Sequence, residues 1–231
     1  MLAGRFRRLQ MVLDRRQPDL TVLMERVNKP HNFSAILRNC DAVGVLEAHA
    51  VPAEGGLTLH HETSGGTSKW VRVHRHPEEL VAIRTLQEAG HQVVAAHPDD
   101  DAIDFRKVDF TLPTAILLGA ELEGVSAEAR KAADLAVRIP MVGMAGSLNV
   151  SVAAALLLYE AFAQRESAGL YERSRLDPER RKRLLFEWAY PRLARALRKR
   201  GESYPALGQD GEILGSLEAL RKELPHQGSR R

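Results

Sequence analysis

Residues 114–160 read TAILLGAELEGVSAEARKAADLAVRIPMVGMAGSLNVSVAAALLLYE, and their pattern decides the fold. Thr114–Ala120 is strongly apolar and too short for a helix, which predicts a buried strand. Ser126 can cap a short helix through SAEARKAAD. Leu135–Pro140 reads as a second strand. MVGMAGSLN is a glycine-containing loop. The segment from Val150 is a helix apolar nearly all round, and is therefore expected to be well buried. Strands that are apolar from end to end and alternate with helices place the chain in the α/β class. The expectation is a mostly parallel sheet with helices on both faces.

The same alternation runs upstream. Leu20–Val27 is a strand ended by Pro30, and Asn32 can cap a helix through SAILRNCDAV that stops at Gly44. Leu46–Val51 and Trp70–His74 are strands around a glycine-rich loop, Glu54–Ser68. Pro77 opens a helix closed by Gly90, and Gln92–Ala96 is a further buried strand. The acidic stretch after it holds at most one short helical turn. In such sheets ligands bind at loops leaving the C-terminal strand ends, and the loops after Ala96, Gly119 and Ile139 stand out.

From Leu176 the character changes. Two basic helices are expected, broken at Pro191, followed by a loosely ordered tail with one short helix and a frayed end. The domain boundaries expected are a basic arm over residues 1–19, a catalytic domain over 20–165 and a basic extension over 166–231. The net charge of +3 conceals this asymmetry: residues 1–29 carry +4, residues 172–200 carry +7, and residues 30–171 carry −7. Two flanks of one sign favour a polyanionic partner.

A hydrophobic share of 44% supports a substantial core. The single cysteine, Cys40, excludes an intrachain disulfide and reads as a small buried hydrophobe. The N-terminus lacks the apolar core of a secretory signal, and Val150–Phe162 is too short to cross a bilayer. The expectation is a cytoplasmic protein with no membrane partner. Neither G-x-G-x-x-G nor G-x-x-x-x-G-K-[ST] occurs, so dinucleotide and P-loop readings lack their phosphate cradles. The pairs His60-His61 and His74-x-His76 lack zinc spacing, and no metal is expected.

Three polar groups stand at strand-to-helix transitions. Asn32 and Arg38 are six residues apart, about 120° round a helix, so they do not form one pair by spacing alone. Asn32 alone reads as a cap, and Arg38 as a surface arginine with Asp41 at i+3. Glu121 follows an apolar strand. Ser147 and Asn149 precede the buried helix and alone read as caps.

HNFSAILRNCDAVG, LLGAELEGVS and IPMVGMAGSLNVSVAAALLLYE resemble the three motifs of the SPOUT-class RNA 2′-O-ribose methyltransferases. The motif-bearing part spans about residues 20–163, and the third motif is the most specific. The basic arms are similar to those of members acting on guanosine 18 of the tRNA D-loop. The resemblance implies a deep C-terminal trefoil knot, a homodimer with the site near its interface, and S-adenosylmethionine as methyl donor. It assigns Ala96, His97, Gly119, Ile139, Met141 and Leu148 to the donor pocket. Relatives often carry a hydroxyl residue where this chain has Ala96. Arg38 becomes the central catalytic residue, as base on the 2′-OH or as clamp on a phosphate, with Asn32, Glu121, Ser147 and Asn149 shaping the site. Arg7, Arg8, Arg180, Arg181, Lys182, Arg195 and Lys199 are expected to grip tRNA phosphates. The alternatives are another RNA substrate, such as ribosomal RNA, and a non-enzymatic RNA-binding module.

Overall fold

Seven strands pair in parallel in the order β3-β2-β1-β6-β4-β7-β5 in the computed structural model. It describes residues 1–53, 69–99 and 101–214. The expected loop over 54–68, His60-His61, and the C-terminal helix and frayed end lie outside the described residues. The strands are β1 (Leu20–Glu25), β2 (Glu47–Val51), β3 (Arg72–Arg75), β4 (Gln92–Ala96), β5 (Ile103–Asp104), β6 (Thr114–Leu118) and β7 (Leu135–Arg138). β1 and β6 sit centrally and are buried along their whole length, which is why LTVLME and TAILL show little alternation. β5, a two-residue edge strand, was not expected from the sequence because so short a pairing leaves no periodicity.

Helices cover both faces, as the alternation requires. On one face α2 (Pro30–Ala42) and α5 (Val150–Ser167) bring Phe33, Ile36, Leu37, Leu157 and Leu158 onto the sheet. On the other, α3 (Glu79–Glu88) and α4 (Ala127–Ala132) bring Ala82, Ile83, Leu86 and Ala129. Leu157 and Leu158 are wholly buried, and each contributes roughly 1.5–3 kcal/mol of transfer free energy. Cys40 is buried in the first cluster, and burial raises its thiol pKa, so it acts as a small apolar side chain.

Several local readings are corrected. Lys29 caps α2 and Pro30 is its first-turn proline, so Asn32 lies inside the helix and does not cap it. Pro77 precedes the cap residue Glu78 and is not itself in α3. α5 buries Ala154, Leu157, Leu158 and Ala161 but leaves Val152, Leu156 and Tyr159 exposed, so it is not covered all round. Asp41 is taken by buried Arg16 at 2.5 Å, not by Arg38.

The chain divides into two units, Asp14–Leu176 and a second made of Met1–Leu13 with the chain from Asp177 on. In the second unit, Asp177 caps α6 (Pro178–Ala189), and Pro191 starts α7 (Pro191–Arg200), as expected. Residues 201–214 are better ordered than a loose tail. Tyr204, Leu207 and Ile213 pack on Phe186, Ala194 and Leu197, and the Tyr190 hydroxyl donates to the Gly211 carbonyl at 2.6 Å. A β-carbon on Gly211 would lie 2.6 Å from the ring of Phe6 in α1 (Ala3–Asp14), so the two ends of the chain share this unit. No helix among the described residues is long and apolar enough to cross a membrane.

At the N-terminal end of the sheet, Arg165 is wholly buried on α5. Its guanidinium donates to the carbonyls of Phe110 and Leu112, each at 2.8 Å, and to the Asp19 carboxylate at 2.8 Å. Burial works to raise the Asp19 pKa, but Arg165 and Arg175 outweigh it and hold the carboxyl below its ordinary value. Arg165→Ala is expected to cost about 3–5 kcal/mol in denaturant unfolding, because it leaves two carbonyls unpaired and takes from Asp19 one of its two guanidinium partners, with only Arg175 remaining. A depressed folded pKa stabilises above the unfolded value. The cost should therefore be full at pH 7 and shrink as the pH falls below about 3.8, the ordinary value for Asp19.

Candidate active site

A parallel sheet delivers all its loops from C-terminal strand ends to one edge, and there a cavity of about 250 Å³ opens over β4, β6 and β7. Ala96 and His97 come from the end of β4, Gly119 from the end of β6, and Ile139, Met141 and Leu148 from the segment after β7. All six residues expected for the donor therefore line one cavity, together with Glu121 and Ser147. Leu118, Val137 and Val150 complete an apolar wall that the sequence reading missed. Their apolar character is what any buried strand end shows, so it carried no separate signal.

The turn after β6 depends on two glycines. Ala120 and Gly124 exchange backbone hydrogen bonds of 3.1 and 2.9 Å, which folds the turn back on itself. A β-carbon on Gly119 would fall 2.0 Å from the Gly124 backbone, and Gly124 has φ +70°. Only glycine permits this approach at both positions. The spacing GAELEG was the available signal.

Glu121, in this turn, is tied to α2 and to the cap of α5. Asn32 Nδ2 donates to Glu121 Oε1 at 2.8 Å, and Asn149 Nδ2 donates to Asn32 Oδ1 at 3.2 Å. The Lys29 backbone N–H adds a longer bond of 3.3 Å to the same carboxylate oxygen. Asn149 Oδ1 also accepts from the Ser151 N–H at 2.9 Å, so its role as a helix cap and its place in the site coexist. Partial burial works to raise the Glu121 pKa, but the Asn32 amide and nearby backbone N–H groups outweigh it and keep the carboxyl below its ordinary value.

Arg38 is not brought to this group. It is exposed on α2, lies on neither the cavity wall nor the Asn32–Glu121–Asn149 chain, and makes no ion pair among the described residues. The 120° separation from Asn32 is borne out: one side chain is buried and the other faces solvent. Of the residues expected to hold phosphates, Arg7, Arg8, Lys182, Arg195 and Lys199 are exposed, while Arg180 and Arg181 are half-buried. Lys182 is paired with Glu179 at 2.6 Å.

The lining bears on what the cavity holds. It contains Glu121 and Glu123 but no lysine or arginine. His97 Nε2 faces Asp99 at 3.1 Å, while its Nδ1 is buried with no hydrogen-bond partner among the described residues. Such a surface suits an apolar ligand with a cationic centre and a few polar edges, and it presents no cationic side chain to a phosphate. Among the described residues no group of three or more His, Cys, Asp or Glu is placed to hold a metal ion.

An all-parallel α/β sheet with this cavity and this amide–carboxylate chain at its C-terminal edge defines an α/β protein whose candidate ligand site lies at its strand ends. The model of the SpoU rRNA Methylase family matches residues 19–159, and that of the SpoU, rRNA methylase, C-terminal family matches residues 163–216. The chain belongs to the SpoU rRNA Methylase family. It is 60% identical over 185 residues to the tRNA (guanosine(18)-2′-O)-methyltransferase of Thermus thermophilus, covering 80% of this chain and 95% of that one. With the Escherichia coli K12 protein of the same name the identity is 48%, covering 90% and 92%. The crystal structure of the Aquifex aeolicus TrmH/SpoU tRNA modifying enzyme superposes with a TM-score of 0.76 at 43% identity, covering 81% of this chain and 96% of that one. The SpoU methyltransferase AviRb from Streptomyces viridochromogenes, in complex with the cofactor AdoMet, superposes with a TM-score of 0.56 at 31% identity, covering 67% and 62%.

Because the folded pKa of Glu121 is depressed, its ionised form stabilises the fold above the unfolded value of 4.5, and that contribution disappears as the pH falls through the folded pKa. Glu121→Gln should therefore lower the thermal midpoint at pH 7, and the difference from the parent chain should shrink as the pH falls below 4.5 and through the folded pKa. A difference that stays constant from pH 7 down to the most acid pH at which the parent chain remains folded would show that the carboxylate charge is not what the Asn32 amide holds.

Proposed function

We propose that this protein transfers a methyl group from S-adenosylmethionine to the ribose 2′-OH of guanosine 18 in the tRNA D-loop. The observation that carries the reading is the cation-free cavity lined together by Ala96, His97, Gly119, Ile139, Met141 and Leu148, in a chain 60% identical to a methyltransferase of that name. The donor supplies an activated methyl on a positively charged sulfur, which matches a lining with two carboxylates and no cation.

The chain's own residues then bind, exclude water and orient. Leu118, Val137, Ile139 and Leu148 remove the donor from water. Glu121, fixed by Asn32 and Asn149, keeps a carboxylate beside it. Alignment of a weak nucleophile with its electrophile is where such a site gains most of its rate. Arg38 acts as a phosphate clamp that orients the 2′-OH, and the hydroxyl proton passes to phosphate or water. A guanidinium is always protonated in proteins and has no lone pair to accept a further proton. Its exposure leaves it accessible to an RNA backbone.

Three further features belong to the same reading. The segments 119–124 and 139–149 are the loops of the trefoil knot, supported by family membership and by their meeting at one cavity. The exposed apolar side chains Val142, Met144, Val152, Leu156 and Tyr159 form the contact of a homodimer, since a patch of this kind needs a partner. The unit carrying Arg7, Arg8, Arg180, Arg181, Lys182, Arg195 and Lys199 grips tRNA phosphates without reading sequence. The protein acts in the cytoplasm.

Incubating an unmodified tRNA transcript with labelled donor, followed by nucleotide mapping, tests the reading: label is expected on the ribose of guanosine 18, and label on a base refutes it. Arg38→Ala should lower kcat by about a hundredfold or more with S-adenosylhomocysteine affinity unchanged; near-normal turnover would remove Arg38 from the mechanism. Combined Arg195→Glu and Lys199→Glu should raise KM for tRNA about tenfold or more in a salt-dependent way while leaving donor affinity intact. Equal loss of both affinities would reject the division of labour.

A further inference from the structure

A second cavity, about 650 Å³, lies on the other side of the turn that carries Glu121. The turn from Ala120 to Glu123 lines both cavities, so Glu121 stands between them. The rest of the second cavity comes from the C-terminal ends of β1, β2 and β3, and none of the expected site residues except Glu121 belongs to it. Its walls include Val51, Pro52 and Pro77, and its polar groups include Arg26, Glu78 and Glu79.

Arg26 is held in an unusual way. It has φ +52°, the one positive φ among the described non-glycine residues, immediately after β1. A long side chain in the left-handed region is disfavoured unless its surroundings fix it, and such positions cluster at ligand sites. Here its N–H donates to the Val51 carbonyl at 2.9 Å, which locks the end of β1 to the end of β2. Its guanidinium, 44% exposed, donates from Nη2 to Glu79 Oε1 at 2.9 Å, and Glu79 is 15% exposed. A preset donor thus stands beside a preset acceptor on the wall of the cavity, with proline and valine surfaces near them.

Resting on the methyltransferase reading above, we infer that this second cavity receives the base of the target nucleotide and reads it as guanine through Arg26 and Glu79. Guanine presents O6, N1–H and the 2-amino group side by side, an acceptor followed by two donors. A guanidinium next to a carboxylate is the complementary row: Arg26 donates to O6, and Glu79 accepts from N1–H and the 2-amino group. Adenine offers a lone pair at N1 and no 2-amino group, so it would set an acceptor against the Glu79 carboxylate. An unmatched polar group in a desolvated pocket is the strongest basis for rejecting an analogue. The apolar walls receive the faces of an unstacked base, and Glu121 then stands where the attached ribose meets the donor cavity.

The test uses full-length tRNA carrying guanosine, inosine or adenosine at position 18, with the intact protein and with Glu79→Gln and Arg26→Lys. Inosine lacks only the 2-amino group. The parent protein should methylate guanosine at least tenfold faster than inosine in kcat/KM, with adenosine lower still. Glu79→Gln should bring the guanosine-to-inosine ratio towards one, and Arg26→Lys should reduce activity on guanosine and inosine alike, since both carry O6. S-adenosylhomocysteine binding, measured by calorimetry, should not change in either variant. Equal rates on guanosine and inosine with the parent protein overturn the inference, as does a full ratio retained in Glu79→Gln. If a variant loses S-adenosylhomocysteine binding, the parent comparison across the three substrates still decides. Failure of the parent protein to methylate any tRNA at position 18 refutes the methyltransferase reading itself, and is told apart by the absence of label in the guanosine arm.

Discussion

The Asn32 side-chain amide uses both of its ends inside the protein: Nδ2 donates to Glu121 and Oδ1 accepts from Asn149. Through that one buried group the helix after β1, the turn after β6 and the cap of α5 are held together. Each of the three segments belongs to a different crossover, so none is positioned by its neighbours in sequence. A buried amide left without partners is costly, so the arrangement is strongly determined once α2 packs on the sheet.

The edge of the sheet then carries two cavities. Over β4, β6 and β7 the lining has carboxylates and no cation; over β1, β2 and β3 carboxylates again prevail, but one arginine, Arg26, stands among them, paired with Glu79. Both share the turn that Gly119 and Gly124 allow, and Glu121 projects from it. A parallel sheet with a switch of direction near its centre brings both cavities to one edge. Opposite this edge, Arg165 ties α5 to Asp19, just before β1, and to the segment entering β6, while Asn149 ties its start to Asn32, so α5 is anchored at both ends.

Much of this was legible in the sequence, for identifiable reasons. Apolar runs such as TAILL and QVVAA bury both faces of a central parallel strand, and burial of that kind leaves a direct trace. Ser126 and Asn149 cap helices with their own side chains, as their residue types suggest. That Ala96, His97, Gly119, Ile139, Met141 and Leu148 would come together was legible through family motifs and through their place at strand ends, and they line one cavity. Asn32 was misread as a cap because a short polar residue near a helix start satisfies that pattern, and whether it faces its own backbone or a distant carboxylate is a tertiary matter. The exposed side of α5 was misread because apolar composition does not say whether the same chain or another covers it.

The sequence by itself determined the parallel α/β class, the positions of most elements, the basic character of both ends and the residue types at three strand-end loops. These follow from local propensity, apolar patterning and charge, which act over a few residues. Tertiary structure decided the meeting of Asn32, Glu121 and Asn149, the separation of Arg38 from that group, the gathering of both chain ends into one unit, and the positive φ that fixes Arg26 beside Glu79. Each depends on contacts between residues tens of positions apart, and such contacts exist only after the sheet order is set. The Asn32–Arg38 segment shows the division: its helix is written locally, while its two polar residues are assigned to opposite environments by what packs on one side of it.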